Sequence, residues 1–338
     1  SKVHGSHVII SCGGTQPPDD TVTQAAQLAA YYSETSGGQN IPVDVTPVRQ
    51  VFHENAQEGI ASVAATIAKR IREREAVGQK AVLSLSAGRS MRDLFVELVR
   101  LHKEEGLSFK NVVVFCSYEY YPLVDMTTGS MAQLRAQLLD HVDILPENIH
   151  AIPGDLPKDE ILTFCTEYEK LIAKEGGIDI QLLGIGQCGN IAMNEPGTQA
   201  NSSTRLVILD NNSRSDAKAL FGNTTQVPVS AITIGIETIL QAKEVIMVAF
   251  GQHKAGIVKQ AIESVAATAC PASFLQLHKN ASVVLDLDAA NKLTRIYHPW
   301  KVTNCEWTDQ LVRRAVVWLC EQTQKPILKL TNKDYNDF

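Results

Sequence analysis

Apolar residues along the chain fall into two recurring patterns. Between Gly59 and Ile71 the positions Ile60, Val63, Ala64, Ile67 and Ile71 repeat at helical spacing, and the run Ala81 to Leu85 that follows is short, apolar and strand-like. The cycle continues with a predicted helix over 91–102, a strand over 111–115, a helix over 130–141, a helix over 158–174 and a strand over 178–185. Further on, the spacing predicts a strand over 206–209, helices near 213–221 and 231–240, a strand over 244–250, a helix from Lys254, and a last helix over 307–319. Near-continuous apolar strands between amphipathic helices predict an α/β fold with a mostly parallel sheet covered on both faces. Ligands of such sheets bind beyond the carboxyl ends of the strands. Residues 1 to about 50 are expected to form an extension holding a strand (Val8 to Ile10), a Gly13-Gly14 turn and an Ala-rich helix.

Composition narrows the classes. The 338 residues are 44% apolar and 20% charged, which is ordinary for a folded globular chain. With 31 basic against 37 acidic residues, a net charge of −6 and no long basic run, a nucleic-acid surface has no electrostatic support. No stretch approaches the ~20 apolar residues of a membrane helix, so a cytoplasmic protein with no membrane partner is expected. Seven scattered cysteines without a CxxC pair point to reduced thiols and no structural metal. His4 and His7 read as end residues rather than metal ligands.

Three loops that follow apolar strands carry the candidate chemistry, the first of them between a strand and a helix. In Ser86-Ala87-Gly88-Arg89-Ser90, small residues let backbone N–H groups and a helix N-terminus approach an anion, with two hydroxyls and one guanidinium beside them. A βα turn needs small residues on geometric grounds as well. The string Cys116-Ser-Tyr118-Glu119-Tyr120-Tyr-Pro122 closes another strand and reads equally as an aromatic turn. After the strand ending at Gly184 comes a glycine-rich stretch with Cys188, Asn190 and Glu195, which sets a carboxylate at the mouth of the sheet.

These strings, with Gly251-Gln-His253-Lys254, His141 to Ile149, Ser203-Thr-Arg205 and Leu275 to His278, stand in the order and spacing of the glucosamine-6-phosphate deaminase/isomerase family, which the chain resembles from about residue 53 to 297. The resemblance implies a three-layer, Rossmann-like α/β domain over 51–300 and a C-terminal helix and tail over 301–338. It also implies a reaction that opens an amino-sugar phosphate ring, moves a proton between C2 and C1 and releases ammonia, with no metal or other cofactor. A phosphate cradle from Ser86, Ala87, Gly88, Arg89, Ser90 and Lys254 is implied too. The partner is a small-molecule sugar phosphate, and a homo-oligomer is left open.

At the positions that do chemistry the residues depart from the family pattern. The proton-transferring aspartate falls on Tyr118, a poor base with a reference pKa near 10. The Asp-Gly-His group for ring opening reads Cys188-Gly189-Asn190, and only the downstream glutamate, Glu195, is kept. In the cradle a threonine is Ala87, a glycine is Arg89, and an arginine falls on Ala219 with Lys218 adjacent. Three readings follow. One is a catalytically impaired homologue that binds a sugar phosphate or regulates. Another is a site re-tooled for isomerisation or hydrolysis with Glu195, Glu119, Tyr118 and Cys188, and the third is a structural role with a filled pocket. Arg89 either replaces the missing arginine or blocks the seat.

Overall fold

The computed structural model describes residues 49–302 and 304–336, with Arg89 described by its backbone alone. The expectations for residues 1–48, including the strand at Val8 to Ile10, the Gly13-Gly14 turn, His4 and His7, lie outside the described residues. Two compact units divide between Ala290 and Asn291.

The first unit runs β1 (Arg49–His53), α1 (Ala56–Ala76), β2 (Ala81–Leu85), α2 (Arg89–Glu105), β3 (Val112–Cys116), β4 (Tyr118–Tyr121), α3 (Ser130–Gln137), β5 (Ile149–His150), α4 (Ile161–Lys174), β6 (Ile180–Gly184), β7 (Arg205–Ile208), α5 (Asn211–Phe221), β8 (Ser230–Thr233), α6 (Ile236–Leu240), β9 (Glu244–Ala249), α7 (Ala255–Glu263), β10 (Ala281–Asp286) and α8 (Leu287–Ala290). Seven strands form one sheet in the order β1-β10-β9-β6-β2-β3-β5, every pair parallel. The chain winds outward from β2 through β3 to β5, then returns to the other side of β2 with β6, β9 and β10. The reversal places a topological switch point between β2 and β6, and a crevice opens beyond the strand ends at such a point.

Alternation along the strands explains the layers. Leu83, Leu85, Leu182, Ile246 and Val248 enter one core with Ile60, Val63, Ile67 and Ile71 of α1 and Leu94, Phe95 and Leu98 of α2. The predicted helical stripe of α1 is thus its buried face, and Asn55 starts the helix by accepting the Glu58 N–H at 3.0 Å. On the opposite sheet face Ser84, Ser117 and Gln181 bond to one another in the interior. A second, antiparallel sheet of β4-β8-β7 packs beyond β3 and begins at Ser117, whose carbonyl accepts the Ile234 N–H at 3.0 Å.

Two expectations are corrected. The predicted helix over 231–240 is strand β8 followed by the short helix α6, because a brief apolar run reads either way until its backbone finds partners, here on both sides in β4 and β7. The helix expected over 130–141 ends at Gln137, and a separate 3₁₀ turn spans Leu139–His141.

The second unit holds α9 (Thr294–Tyr297), α10 (Asp309–Thr323) and α11 (Asn332–Asn336). Trp300 stacks on Trp307 at 5.9 Å and meets Trp318 edge-on, while Lys325 pairs with Asp334 at 2.6 Å. No helix among the described residues is long and apolar enough to cross a membrane.

Candidate functional site

The Ser86 turn, the Tyr118 string and the Cys188 to Glu195 loop all follow the carboxyl ends of neighbouring parallel strands, so they share one sheet edge. The β2 turn lies at the switch point itself. Ser86 and Ala87 are buried there, and α2 starts at Gly88 with no side-chain cap on its first-turn N–H groups. A Cβ added to Gly88 would meet no described atom within 4 Å beyond its chain neighbours. This is the arrangement that favours an anion at a helix N-terminus. Two strands away, Lys254 follows β9 and donates its ammonium to the Ile185 carbonyl at 2.7 Å, just past the end of β6.

Asp286 holds the segment that carries Lys254. Both its carboxylate oxygens accept the Gly251 N–H, at 3.0 and 2.9 Å, and Oδ1 also accepts from Ala289 at 2.8 Å. Sequence reading missed this residue. The only local signal is an aspartate ending an apolar strand ahead of a short helix, an ordinary capping pattern.

Tyr118 reaches toward the anion turn. Its hydroxyl donates to the Ala87 carbonyl at 2.9 Å and its ring meets Tyr120 edge-on at 5.8 Å. Burial, first of all, pushes the phenol well above its ordinary range, and the nearby acidic groups push the same way. A phenol so placed donates a hydrogen bond and does not take a proton. Tyr118→Phe would leave a buried carbonyl without this donor, and unfolding in urea should show a loss of about 1–3 kcal/mol.

Glu119 is not brought to the other candidates. Strand alternation turns it to the far side of β4 from Tyr118. There its Oε1 accepts from Tyr120 at 2.9 Å and Ser130 at 2.7 Å, and its Oε2 from Met131 at 2.9 Å. Burial raises its carboxyl despite these three N–H groups, and its oxygens are occupied in starting α3.

Cys188, Asn190 and Glu195 meet at the start of α5. The Asn212 carboxamide donates to the Cys188 sulfur at 3.2 Å, and the Asn190 carboxamide donates to the Ser213 hydroxyl at 3.4 Å. Burial chiefly raises the Cys188 thiol, with the charges of Asp210 and Glu195 adding to it, so the neutral thiol dominates near pH 7. Glu195 Oε1 accepts from the Asp210 N–H at 3.4 Å, while its buried Oε2 has no hydrogen-bond partner. Burial, aided by the charge of Asp210, lifts the Glu195 carboxyl above the ordinary carboxylate range.

Two glycines let the loop close this tightly. At Gly186 a Cβ would run into the Asn190 carboxamide, and Gly189 sits at φ +78° with its backbone against the Cys270 thiol. Met193 packs with Tyr118, Tyr120 and Ala217 in one cluster, which joins this loop to β4. On α5, Ala219 and Lys218 are both exposed, and His253 lies exposed in the 3₁₀ turn before α7.

An open parallel sheet with an uncapped helix N-terminus at its switch point, and with Lys254 and Glu195 on loops of the same sheet edge, places the chain among the doubly wound α/β proteins whose small ligands enter at the strands' carboxyl ends. The sequence model of the family described as glucosamine-6-phosphate isomerases/6-phosphogluconolactonase matches residues 54–284, and the chain belongs to that family. A glucosamine-6-phosphate deaminase-like protein of Bacteroides thetaiotaomicron is 50% identical over 300 residues, which are 88% of this chain but 44% of that protein, so the chain spans less than half the length of this relative. A glucosamine-6-phosphate deaminase of Pseudoalteromonas translucida is 36% identical over 253 residues, 74% of this chain and 93% of that enzyme. Among solved structures, a monomeric glucosamine-6-phosphate deaminase superposes with a TM-score of 0.68 at 33% identity, covering 72% of this chain and all of the other. A 6-phosphogluconolactonase from Trypanosoma brucei, at 23% identity and a TM-score of 0.59, shares the fold.

Proposed function

We propose that this protein binds a sugar phosphate of the glucosamine 6-phosphate class at the switch point without deaminating it, as a cytoplasmic binding or regulatory member of its family. The observation that carries this reading is Tyr118. Where the family resemblance calls for a proton-transferring carboxylate, a buried phenol is spent on the Ala87 carbonyl. The ring-opening group is likewise a neutral thiol and a carboxamide, neither of which shuttles protons at neutral pH. On the anion side the uncapped α2 N-terminus and Lys254 lie at the same sheet edge, although Ala87, Arg89 and Ala219 depart from the family's cradle.

Calorimetry with glucosamine 6-phosphate tests it. The parent is expected to bind, and Lys254→Ala to bind more weakly by about tenfold or more, the scale of removing one charge-assisted hydrogen bond. Absence of binding by both the parent and Arg89→Gly would overturn the reading and favour a structural role. Tighter binding by Arg89→Gly would identify Arg89 as an obstruction.

A second reading rests on Glu195, whose raised carboxyl and unpartnered Oε2 fit a general acid. It would make the site a re-tooled isomerase or hydrolase. Turnover of a sugar phosphate or its lactone that Glu195→Gln abolishes would install that reading in place of the first.

A further inference from the structure

At the opposite edge of the sheet, where β2, β6 and β9 begin, lies a cavity of about 390 Å³. Arg74, Lys80, Lys174 and Lys243 line it together with two acids, Glu175 and Asp179. The acids fix the cations more than they cancel them. Asp179 is 1% exposed; its Oδ2 accepts the Val82 N–H at 2.9 Å, and its Oδ1 takes both Arg74 and Lys243, the latter at 2.9 Å. One buried charge thus positions two cations. Lys80 is tied to Asn148 at 3.0 Å and to Glu175 at 3.6 Å. Lys174 forms no ion pair among the described residues. Four positive and two negative groups leave an excess of two positive charges around a space large enough for a small ligand.

The ordinary reason for cations at this edge would be the helix C-termini of α1 and α4, whose last carbonyls seek donors. Those carbonyls are already served by backbone. Val77 and Gln79 donate to Arg74 O, Gly78 donates to Glu75 O, and Glu175, Gly176 and Gly177 donate to Leu171, Ala173 and Ile172. The helix ends therefore make no demand on these cations, and Lys174 among them carries no ion pair among the described residues.

We propose that this basin is a second anion site, distinct from the switch point, that takes a small free phosphate anion such as phosphate or pyrophosphate. Arg74 already donates to Gln79 and Asp179, so it contributes a fixed positive charge, and the lysines, Lys174 above all, supply point charges for a tetrahedral ion. The preset positions of Arg74, Lys80 and Lys243 lower the ordering cost of binding. The site shares no residue with the proposed sugar-phosphate seat, so either can fail alone.

Calorimetry with inorganic pyrophosphate on the parent, Lys254→Ala and Lys174→Glu decides the matter. Lys174 is exposed and has no ion-pair partner among the described residues, so its reversal leaves the fold intact. The basin predicts binding by the parent that Lys254→Ala keeps at this site and Lys174→Glu weakens by about tenfold or more, with Lys243→Gln weakened in the same direction. If two ions bind, Lys174→Glu should remove one and Lys254→Ala the other. No binding by the parent would overturn the proposal. So would binding that Lys254→Ala abolishes, or binding that Lys174→Glu leaves unchanged.

Discussion

Purified protein incubated with glucosamine 6-phosphate is expected to release ammonia no faster than a protein-free control. The family resemblance implies that deamination uses a base to move a proton between C2 and C1 and an acid to open the ring. Tyr118 would have to be that base. A carboxylate ionises near pH 4 and a free phenol near 10; burial carries this phenol higher still, and its proton is engaged with Ala87. At the positions where the family resemblance puts the ring-opening Asp and His stand a neutral Cys188 thiol and the Asn190 carboxamide, and neither shuttles a proton to Glu195 near pH 7. Losing a general base and a general acid costs about 10²–10⁴-fold each, and although such losses do not simply add, the deficit falls far below ordinary turnover. Tyr118→Asp alone should not rescue the reaction, because Cys188 and Asn190 stay in place. Ammonia release at ~1 per second or more would show that the site deaminates after all.

The largest loss of stability is expected for Asp179→Ala. Its carboxylate is the common partner of Val82 N–H, Arg74 and Lys243. Removing it strands a buried donor and two cations. Breaking a buried pair in this way costs about 3–5 kcal/mol, and the partial exposure of Arg74 and Lys243 places the expected loss at the lower end. The effect should depend on pH. Burial alone would raise the Asp179 carboxyl, but the Val82 N–H, Lys243 and Arg74 outweigh it and hold the group below its ordinary range. A carboxyl depressed on folding contributes stability above its unfolded pKa, near 3.9, and loses that contribution as the pH falls through the folded value. Denaturation of the parent and Asp179→Asn should therefore differ at neutral pH and converge in acid. A constant difference across that range would show that charge plays no part.

Much of this architecture was legible in the sequence because it rests on local periodicity. The α1 stripe, the apolar runs of β2, β6 and β9 and the small-residue turns after them read directly. Pairing was harder to read. The run at Ala231 took its conformation from β4 and β7, which are far from it in sequence, and the helix reading failed for that reason. Single side chains were least legible. Glu119 stands in a motif that suggests acid-base chemistry, yet its oxygens are bound to the start of α3, a contact that exists only once the chain has folded. Tyr118 could be recognised as a poor base from its identity, but its bond to Ala87 depends on how β4 approaches the β2 turn. The cationic basin was invisible for the same reason, since its residues come from the ends of α1 and α4 and the starts of three strands.

A sugar phosphate bound at this site should undergo no proton transfer. The most direct measurement is proton NMR of glucosamine 6-phosphate held with the protein in D2O, followed over hours at a concentration where calorimetry shows the sugar bound. The expected result is a bound sugar recovered unchanged, with its C2 proton retained. Deuterium entering C2, or any ketose phosphate formed by the parent and absent without protein, would contradict it.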